Sequence, residues 1–436
     1  MKNTIGIRKE TKDNLERRAP LSPDHIKNLV SEHGLQVVVQ PAEQRKFSDA
    51  QYSEAGAILK DDLSECNIIF GVKEVPISDL IEDKAFVFFS HTIKAQPYNM
   101  PLLKEILNKN ITLIDYELVT DKDGRRIIFF GHFAGYAGMI DSLWILGQRL
   151  KYEGFDTPFE RIKQAVNYEQ LSDAERSIIE VGEEIKENGL PEELTPFITA
   201  FTGRGNVSKG AQKIYDLLPV VKLSPEEMIQ MVDSGNYSNK VLYSVEFYSS
   251  DIYRRIDGGE FNRDHFYSNP KLYKSVFQNY IPYLTMMING IYWEPDFDKL
   301  VTKKYIQDTF KNGKNIPLRV IGDITCDIDG SVELNMKATR YDNPCYVFDP
   351  ETGEIKDGWE GNGPVILAVD KLPTELPREA TISFGSSLLP FVPSLASIDF
   401  NKNFDELNLP ESFRNAVIAH KGKLTPNFEY LYEHIK

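Results

Sequence analysis

The segment TPFITAFTGRGNVSKGAQKIYDLL, residues 195–218, restricts the possible folds more than any other part of the chain. Phe197 to Phe201 is an apolar run of strand length. Ala211, Ile214, Tyr215 and Leu218 recur at i, i+3, i+4 and i+7, the apolar stripe of a helix. Between them stands Gly203-Arg204-Gly205-Asn206-Val207-Ser208, a G-x-G-x-x-S turn. Strand, Gly-rich turn and helix in that order predict one unit of a parallel sheet that binds a dinucleotide. The first glycine permits a tight turn, the second lets backbone approach a pyrophosphate, and Ser208 replaces the third while still packing closely. The helix N-terminus offers unpaired N–H groups to that anion. All six residues are therefore expected cofactor contacts.

An acid about 20 residues after the first glycine commonly receives the adenosine ribose hydroxyl of NAD. Here the region reads VVKLSPEEM, 220–228, with Lys222-Leu223-Ser224 at the expected strand end and no acid until Glu226. Lys222 and Ser224 are expected to face a 2′-phosphate instead. That favours NADP(H) and leaves NAD(H) as the alternative.

Upstream, strands and helices alternate. TIGIRKE (4–10), LQVVVQP (35–41), NIIFGVK (67–73), AFVFFSH (85–91) and ITLIDYELV (111–119) read as strands. SPDHIKNLVSEHG (22–34) reads as a helix with Ser22 as N-cap, Pro23 in the first turn, and Ile26, Leu29 and Val30 on one face. A short helix follows Ser48, and another spans about 99–107. DKDGRR turns the chain into RRIIFF (125–130). This pattern predicts a doubly wound α/β domain. GHFAGYAGMIDSLWILGQRL (131–150) reads as a long helix whose small residues admit another backbone closely, and it carries the chain into a second domain. The polar stretch 151–190 is expected to be helical.

A length of 436 residues suits two or three domains. A net charge of −15 argues against nucleic acid or an anionic membrane as the main partner. No apolar run approaches the ~20 residues of a membrane span, and MKNTIGIRKE lacks the apolar core of a signal peptide. Cys66, Cys326 and Cys345 are too few and scattered for a disulfide framework or a CxxC metal site, so no metal and a reducing, cytoplasmic setting are expected. An anionic small substrate stays compatible with this charge where arginines cluster, as in ERRAP (16–20) and DGRR (123–126). Such pairs are also common on plain solvated surfaces.

NIIFGVKEVP (67–76) runs an apolar strand straight into a lysine. One reading is a solvated strand end; the other is a ligand site, since open α/β sheets bind ligands at the carboxyl ends of their strands.

RKETKDNLERRAPLSP, GVKEVP, FFSHTIKAQ, IDYELVTDKDGRRIIFFGHFAGYAG, FTGRGNVSKGAQ, YIPYLTMMINGIYWE, GDITCDIDGSVE and VDKLPTELPREATISFGSSLLP occur in one order from end to end. The chain so resembles the saccharopine-forming lysine–2-oxoglutarate reductases, particularly the N-terminal half of the bifunctional α-aminoadipic semialdehyde synthases. Its first domain is similar to that of alanine dehydrogenase and the nicotinamide nucleotide transhydrogenase. INGIYWE and LPREA favour the saccharopine group.

The resemblance implies two Rossmann-like domains with the active site in the cleft between them. It implies a substrate domain of 1–140 completed by 331–436, and a nucleotide domain of 141–330. It implies reversible, NADPH-dependent condensation of lysine with 2-oxoglutarate to saccharopine. This chain stops at YEHIK, so a separate saccharopine-oxidising enzyme is expected. Family correspondence places the acid–base pair on Lys73 and His91. It places substrate contacts on Arg18, Glu74, Glu117, Arg126 and the strand-end acid Asp323. Arg18 is expected to grip a carboxylate bidentately, with Arg17 a solvated neighbour. Glu117 reads equally well as a surface glutamate. A general acid–base lysine must bring its pKa from about 10.4 toward 7–8. Glu74 opposes that shift, so it is expected to orient or balance charge rather than to activate. Two other classes share the pattern: an alanine-dehydrogenase-like oxidoreductase, and a nucleotide-binding sensor without turnover.

Overall fold

The structure, a computed structural model, describes residues 3–313 and 317–435. The chain divides into two compact units, Met1–Phe130 with Pro377–Lys436, and Gly131–Leu376.

The first unit is built on β1 (Thr4–Ile7), β2 (Gln36–Val39), β3 (Ile58–Leu59), β4 (Ile68–Phe70), β5 (Ala85–Phe88) and β6 (Thr112–Asp115). They lie in the spatial order β3-β2-β1-β4-β5-β6, all parallel, and Val417–His420 and Lys423–Leu424 extend the sheet antiparallel beyond β6. Sequential strands run outward in one direction from β1 and then in the other from β4. The strand order therefore reverses between β1 and β4, the switch point where such sheets bind ligands. The central strands are apolar throughout because helices cover both faces; β4 and β5 are buried along their whole length. The helix Pro23–His33 starts as its sequence directs, with Ser22 as N-cap and Pro23 in the first turn, and Gly34 closes it at φ 62°. RRIIFF forms no strand; only an isolated bridge joins Arg126 to Thr120.

The second unit opens with the helix Gly131–Tyr152. Its strands are β7 (Ile198–Thr202), β8 (Val220–Leu223), β9 (Leu242–Phe247), β10 (Tyr253–Arg255), β11 (Tyr273–Ser275), β12 (Met286–Asn289), β13 (Val320–Asp323), β14 (Cys345–Phe348), β15 (Ile355–Asp357) and β16 (Val365–Leu367). The main sheet runs β15-β14-β16-β13-β12-β7-β9-β8, and β10 pairs with β11 apart from it. The small residues of the opening helix do what their size suggests. A Cβ on Gly135 would lie 2.1 Å from the Val207 carbonyl oxygen, and one on Gly210 2.5 Å from that of His132. Two backbones thus pack in contact, fixing the helix Asn206–Tyr215 that follows the Gly-rich turn.

The return to the first unit differs from the sequence-based boundary. It falls at Pro377 rather than 331. β14, β15 and β16 hydrogen-bond into the second sheet through β13, so residues 331–376 complete that unit.

Candidate functional sites

In the first unit, the chain leaves β4 at the switch point through Gly71-Val72-Lys73-Glu74. Glu10, itself just beyond β1, turns its carboxylate under this corner and accepts the backbone N–H groups of Val72 (2.7 Å) and Lys73 (3.0 Å). Arg8 Nη1 lies 3.4 Å from Glu10 Oε2. Burial pushes the Glu10 carboxyl upward, and the Arg8 charge acts against it. One buried acid thereby fixes the backbone that carries Lys73. Lys73 is half-buried, and its charge acts on Glu16.

Glu74 is 7% exposed. Its Oε1 lies 2.8 Å from His91 Nδ1 and 2.5 Å from Lys12 Nζ. Burial raises this carboxyl, but the hydrogen bonds from His91 and Lys12 outweigh it and hold it down to about 2. An ionised carboxylate accepts only, so His91 Nδ1 carries the proton of that bond and Nε2 is left to face other groups. The His91 backbone stands at φ 52°, Asn99 Nδ2 donates to its carbonyl at 3.0 Å, and Phe89 stacks on its ring. Glu74 thus joins the two expected acid–base residues: it follows Lys73 in the chain and grips His91 in space.

Arg18 is placed otherwise than expected. Its Nε and Nη2 form a bidentate pair with Glu16, at 2.7 and 2.6 Å, with both side chains buried. Its guanidinium carbon sits 4.1 Å over the Phe130 ring. The fork expected to take a substrate carboxylate is therefore already on a protein carboxylate, which leaves Nη1. Burial raises Glu16, and Arg18 and then Lys73 more than offset it. Glu117 and Arg126 pair with each other at 2.5 Å, with Arg126 about half exposed. Behind them Asp115, fully buried, accepts from Ser90 N (2.9 Å), Ser90 Oγ (2.5 Å) and Glu117 N (2.8 Å). It ties the turn that bears His91 to the turn that bears Glu117. Sequence reasoning missed Glu10, Lys12, Glu16 and Asp115. Asp115 ends β6, and Glu10 and Lys12 stand three and five residues past β1, so a charged residue near a strand end was the available signal for those three; Glu16, nine residues past β1, carried none.

In the second unit, Gly203 sits at φ 87°, and a Cβ there would lie 2.5 Å from the Gly290 carbonyl oxygen. No other residue fits. Gly205 is the N-cap of Asn206–Tyr215, and a Cβ on it would meet nothing within 4 Å. Ser208 is buried, as its substitution for the third glycine requires, and accepts from Gln212 at 3.2 Å. A pocket of about 560 Å³ opens beside the turn, lined by Gly203, Arg204, Tyr248, Ser249, Arg263 and Tyr267 among others. A close-packed first glycine, an open second one, a helix N-terminus and an adjoining pocket with two guanidiniums fit a dinucleotide.

Lys222 and Ser224 do not face this pocket's turn, which corrects the sequence reading. β7 pairs with β9, and β8 lies outside β9 at the sheet edge. Lys222 pairs with Asp216 at 2.6 Å, and Ser224 caps the helix Pro225–Ser234 by accepting from Glu227 N. The position beside the first glycine falls at Tyr248, one step past the Thr202–Phe247 pair. There the Arg204 guanidinium stacks at 4.4 Å on the Tyr248 ring, and the Tyr248 hydroxyl donates to Glu246 at 3.0 Å.

Asp323 ends β13 fully enclosed. It accepts from Thr325 Oγ1 (2.7 Å), Asn289 Nδ2 (2.9 Å) and Asn335 Nδ2 (2.9 Å), and burial pushes it up to about 6. Thr202 Oγ1 donates in turn to Asn289 Oδ1 at 2.6 Å. This chain of bonds cross-ties the ends of β7, β12 and β13 beneath the Gly-rich turn. Both oxygens of Asp323 are engaged inside the unit, which makes it a brace for that turn. Among the described residues no group of three or more His, Cys, Asp or Glu side chains is arranged to hold a metal ion, and no helix is long and apolar enough to cross a membrane.

These features define an α/β protein with a dinucleotide-type turn in one unit and a lysine–carboxylate–histidine cluster at the switch point of the other. Residues 6–137 match the alanine dehydrogenase/PNT N-terminal domain family. The chain is similar to two α-aminoadipic semialdehyde synthases: it is 39% identical to that of Arabidopsis thaliana over 98% of its length, and 37% identical to the mitochondrial one of Rattus norvegicus over 99%. It spans 41% and 48% of those two proteins, less than half of each. It is also 27% identical to the saccharopine dehydrogenase (NAD(+), L-lysine-forming) of Candida glabrata, over 91% of this chain and 93% of that one. Its fold is that of L-alanine dehydrogenase, with a TM-score of 0.63 at 18% identity over 99% of this chain and 100% of that one.

Proposed function

We propose that the chain catalyses the reversible, NADPH-dependent condensation of L-lysine with 2-oxoglutarate to saccharopine. The observation that carries this is the Glu74–His91 pair at the switch point, with Lys73 beside Glu74 in the chain, in a sequence similar over 98% of its length to a semialdehyde synthase. A sensor needs the Gly-rich turn but no such proton-carrying cluster.

The chemistry has two proton movements and one hydride transfer. The ε-ammonium of lysine must lose a proton before its nitrogen attacks the ketone carbon of 2-oxoglutarate. The resulting carbinolamine must gain a proton on its hydroxyl to leave as water, giving a protonated imine. The reduced carbon–nitrogen bond then carries the secondary amine of saccharopine. When bound, the dinucleotide supplies the hydride for that last step. His91 Nε2, oriented by Glu74 at Nδ1, accepts the proton from the amine. Lys73, on the corner held by Glu10, donates to the departing hydroxyl. Lys12 and Arg18 Nη1 offer cations to the substrate carboxylates, while Glu117, with Arg126, faces the incoming amine. Gly203 through Ser208 would hold the pyrophosphate by backbone N–H groups.

NADP(H) is favoured over NAD(H) on different residues from those the sequence suggested. Arg204, Arg263 and Ser249 line the pocket beside Tyr248, and a 2′-phosphate there would receive charge-assisted hydrogen bonds. The three cysteines are free. The test is oxidation of NADPH and NADH with lysine plus 2-oxoglutarate, with product mass measured. Turnover with ammonia and pyruvate but none with lysine would replace this reading by an alanine-dehydrogenase-like one.

A further inference from the structure

The second unit buries two acids that the proposed chemistry does not use. Asp141 lies on the opening helix Gly131–Tyr152, and Glu375 on the short turn Leu372–Glu375, one residue before this unit ends at Leu376. They are 0% and 2% exposed. Asp141 Oδ1 accepts from Ala165 N at 2.7 Å, and Glu375 Oε2 from Gln164 Nε2 at 3.3 Å. Asp141 Oδ2 and Glu375 Oε1 have no donor among the described residues. The two side chains stand within hydrogen-bonding range of each other.

Two carboxylates cannot both stay ionised at that range out of water without a cation, and none acts on Asp141. The groups facing the pair are the Gln164 side chain, the Ala165 and Val166 amides, and the Cys345 thiol of β14, which burial pushes up to about 12. One proton between the two donorless oxygens satisfies both at once.

We propose that Asp141 and Glu375 share a proton and so form a pH-sensitive clasp between the first helix and the last turn of this unit. Burial raises both carboxyls, with their mutual repulsion adding to it at Glu375. The sign follows. Groups with raised folded pKa values contribute stability that is present below their unfolded values and is lost as pH rises through the folded ones. Loss of the shared proton leaves two like charges in a dry site and loosens residues 372–376 from the helix. Between the unfolded and the folded values the folding constant of this unit falls by roughly tenfold per pH unit for each proton that the folded unit keeps and the unfolded chain has released.

The test measures Tm against pH from 6 to 9 for the full chain, for Asp141→Asn and for Glu375→Gln. An amide supplies a fixed donor between the two oxygens, so at least one variant is expected to show a flatter curve than the wild type. Curves parallel to the wild type for both variants overturn the proposal. The wild-type protein alone provides a second readout, independent of whether either variant folds. Its infrared spectrum at pH 7 is expected to contain the carbonyl band of a buried protonated carboxylic acid, shifted in heavy water and lost at alkaline pH. Absence of that band at pH 7 also overturns it.

Discussion

Glu74→Gln removes one negative charge from the buried oxygen that holds the His91 ring and leaves side-chain length unchanged. Gln Oε1 can still accept from His91 Nδ1, now 2.8 Å from the carboxylate. What is lost is the charge opposite an imidazole that takes up a proton in the proposed reaction. A hydrogen bond to a charged group contributes about 1.5–3 kcal/mol against about 0.5–1.5 kcal/mol for a neutral one. The transition state therefore loses roughly 1–1.5 kcal/mol, and about 1.4 kcal/mol is tenfold in rate. kcat/KM is expected to fall about 5- to 15-fold, well short of the ~10² expected for His91→Gln. Because Glu74 acts through His91, the double variant should be no slower than His91→Gln alone. The assay is steady-state NADPH oxidation with lysine and 2-oxoglutarate. A double variant whose loss equals the product of the two single losses would refute the coupling. Stability gives a second check. Glu74 titrates near 2 in the folded chain, below the ordinary ~4.3 of a free glutamate. A depressed folded pKa contributes stability that is present above the unfolded value and lost as pH falls toward the folded one. Wild-type Tm should therefore decline between about pH 4.5 and 2, and Glu74→Gln should flatten that limb.

Lys73→Met is expected to lower turnover by ~10²–10⁴, the usual worth of one general acid–base group, while NADPH binding measured by fluorescence is kept. An unchanged rate would make this lysine a solvated strand end. Arg263→Gln should raise the KM for NADPH about tenfold and leave that for NADH unchanged, since one charge-assisted hydrogen bond is worth about 1.5–3 kcal/mol. Ser224→Asp should alter neither KM, because aspartate caps the helix Pro225–Ser234 as well as serine does; a switch toward NADH would restore the edge strand as the ribose reader. Gly203→Ala should abolish dinucleotide binding in a titration, since its Cβ would meet the Gly290 carbonyl at 2.5 Å in a left-handed backbone.

Most of what was legible in the sequence is local. The strand–turn–helix at 198–215 is written in three short-range signals: an apolar run, two glycines and a helical stripe. The strand forms within one residue of its expected limits, and the helix ends at Tyr215, three residues short of the expected stripe. The strands bearing Lys73 and His91 were equally plain, because buried parallel strands are nearly continuous runs of apolar residues. What failed was anything that depends on which elements become neighbours. Residues 331–376 read as a return to the first unit because no local signal distinguishes β14 and β16 from strands of either sheet. Arg18 read as a free cation because its partner, Glu16, is invisible as a partner until the backbone turns the two side chains together. The same holds for Glu10, which reaches Val72 and Lys73 across 62 residues of chain.

Strand order governs where the sequence rule for the ribose contact lands, for the same reason. A sequence rule that counts about 20 residues from the first glycine assumes that the next strand lies beside the first. In this unit the next strand, β8, is displaced to the edge, and β9 takes the place beside β7. The count therefore reached Lys222 and Ser224, one strand too far out, and the position beside Gly203 belongs to Tyr248, about twice as distant along the chain as the rule allows. Tyr248 offers a flat ring on which Arg204 rests and a hydroxyl already held by Glu246. That acid is committed to Tyr248 and Gln212. The positive charge lining the pocket beside Tyr248 thus rests on Arg204 and Arg263, so the proposed preference for NADP(H), expected in the sequence from a lysine and a serine, stands or falls with two arginines.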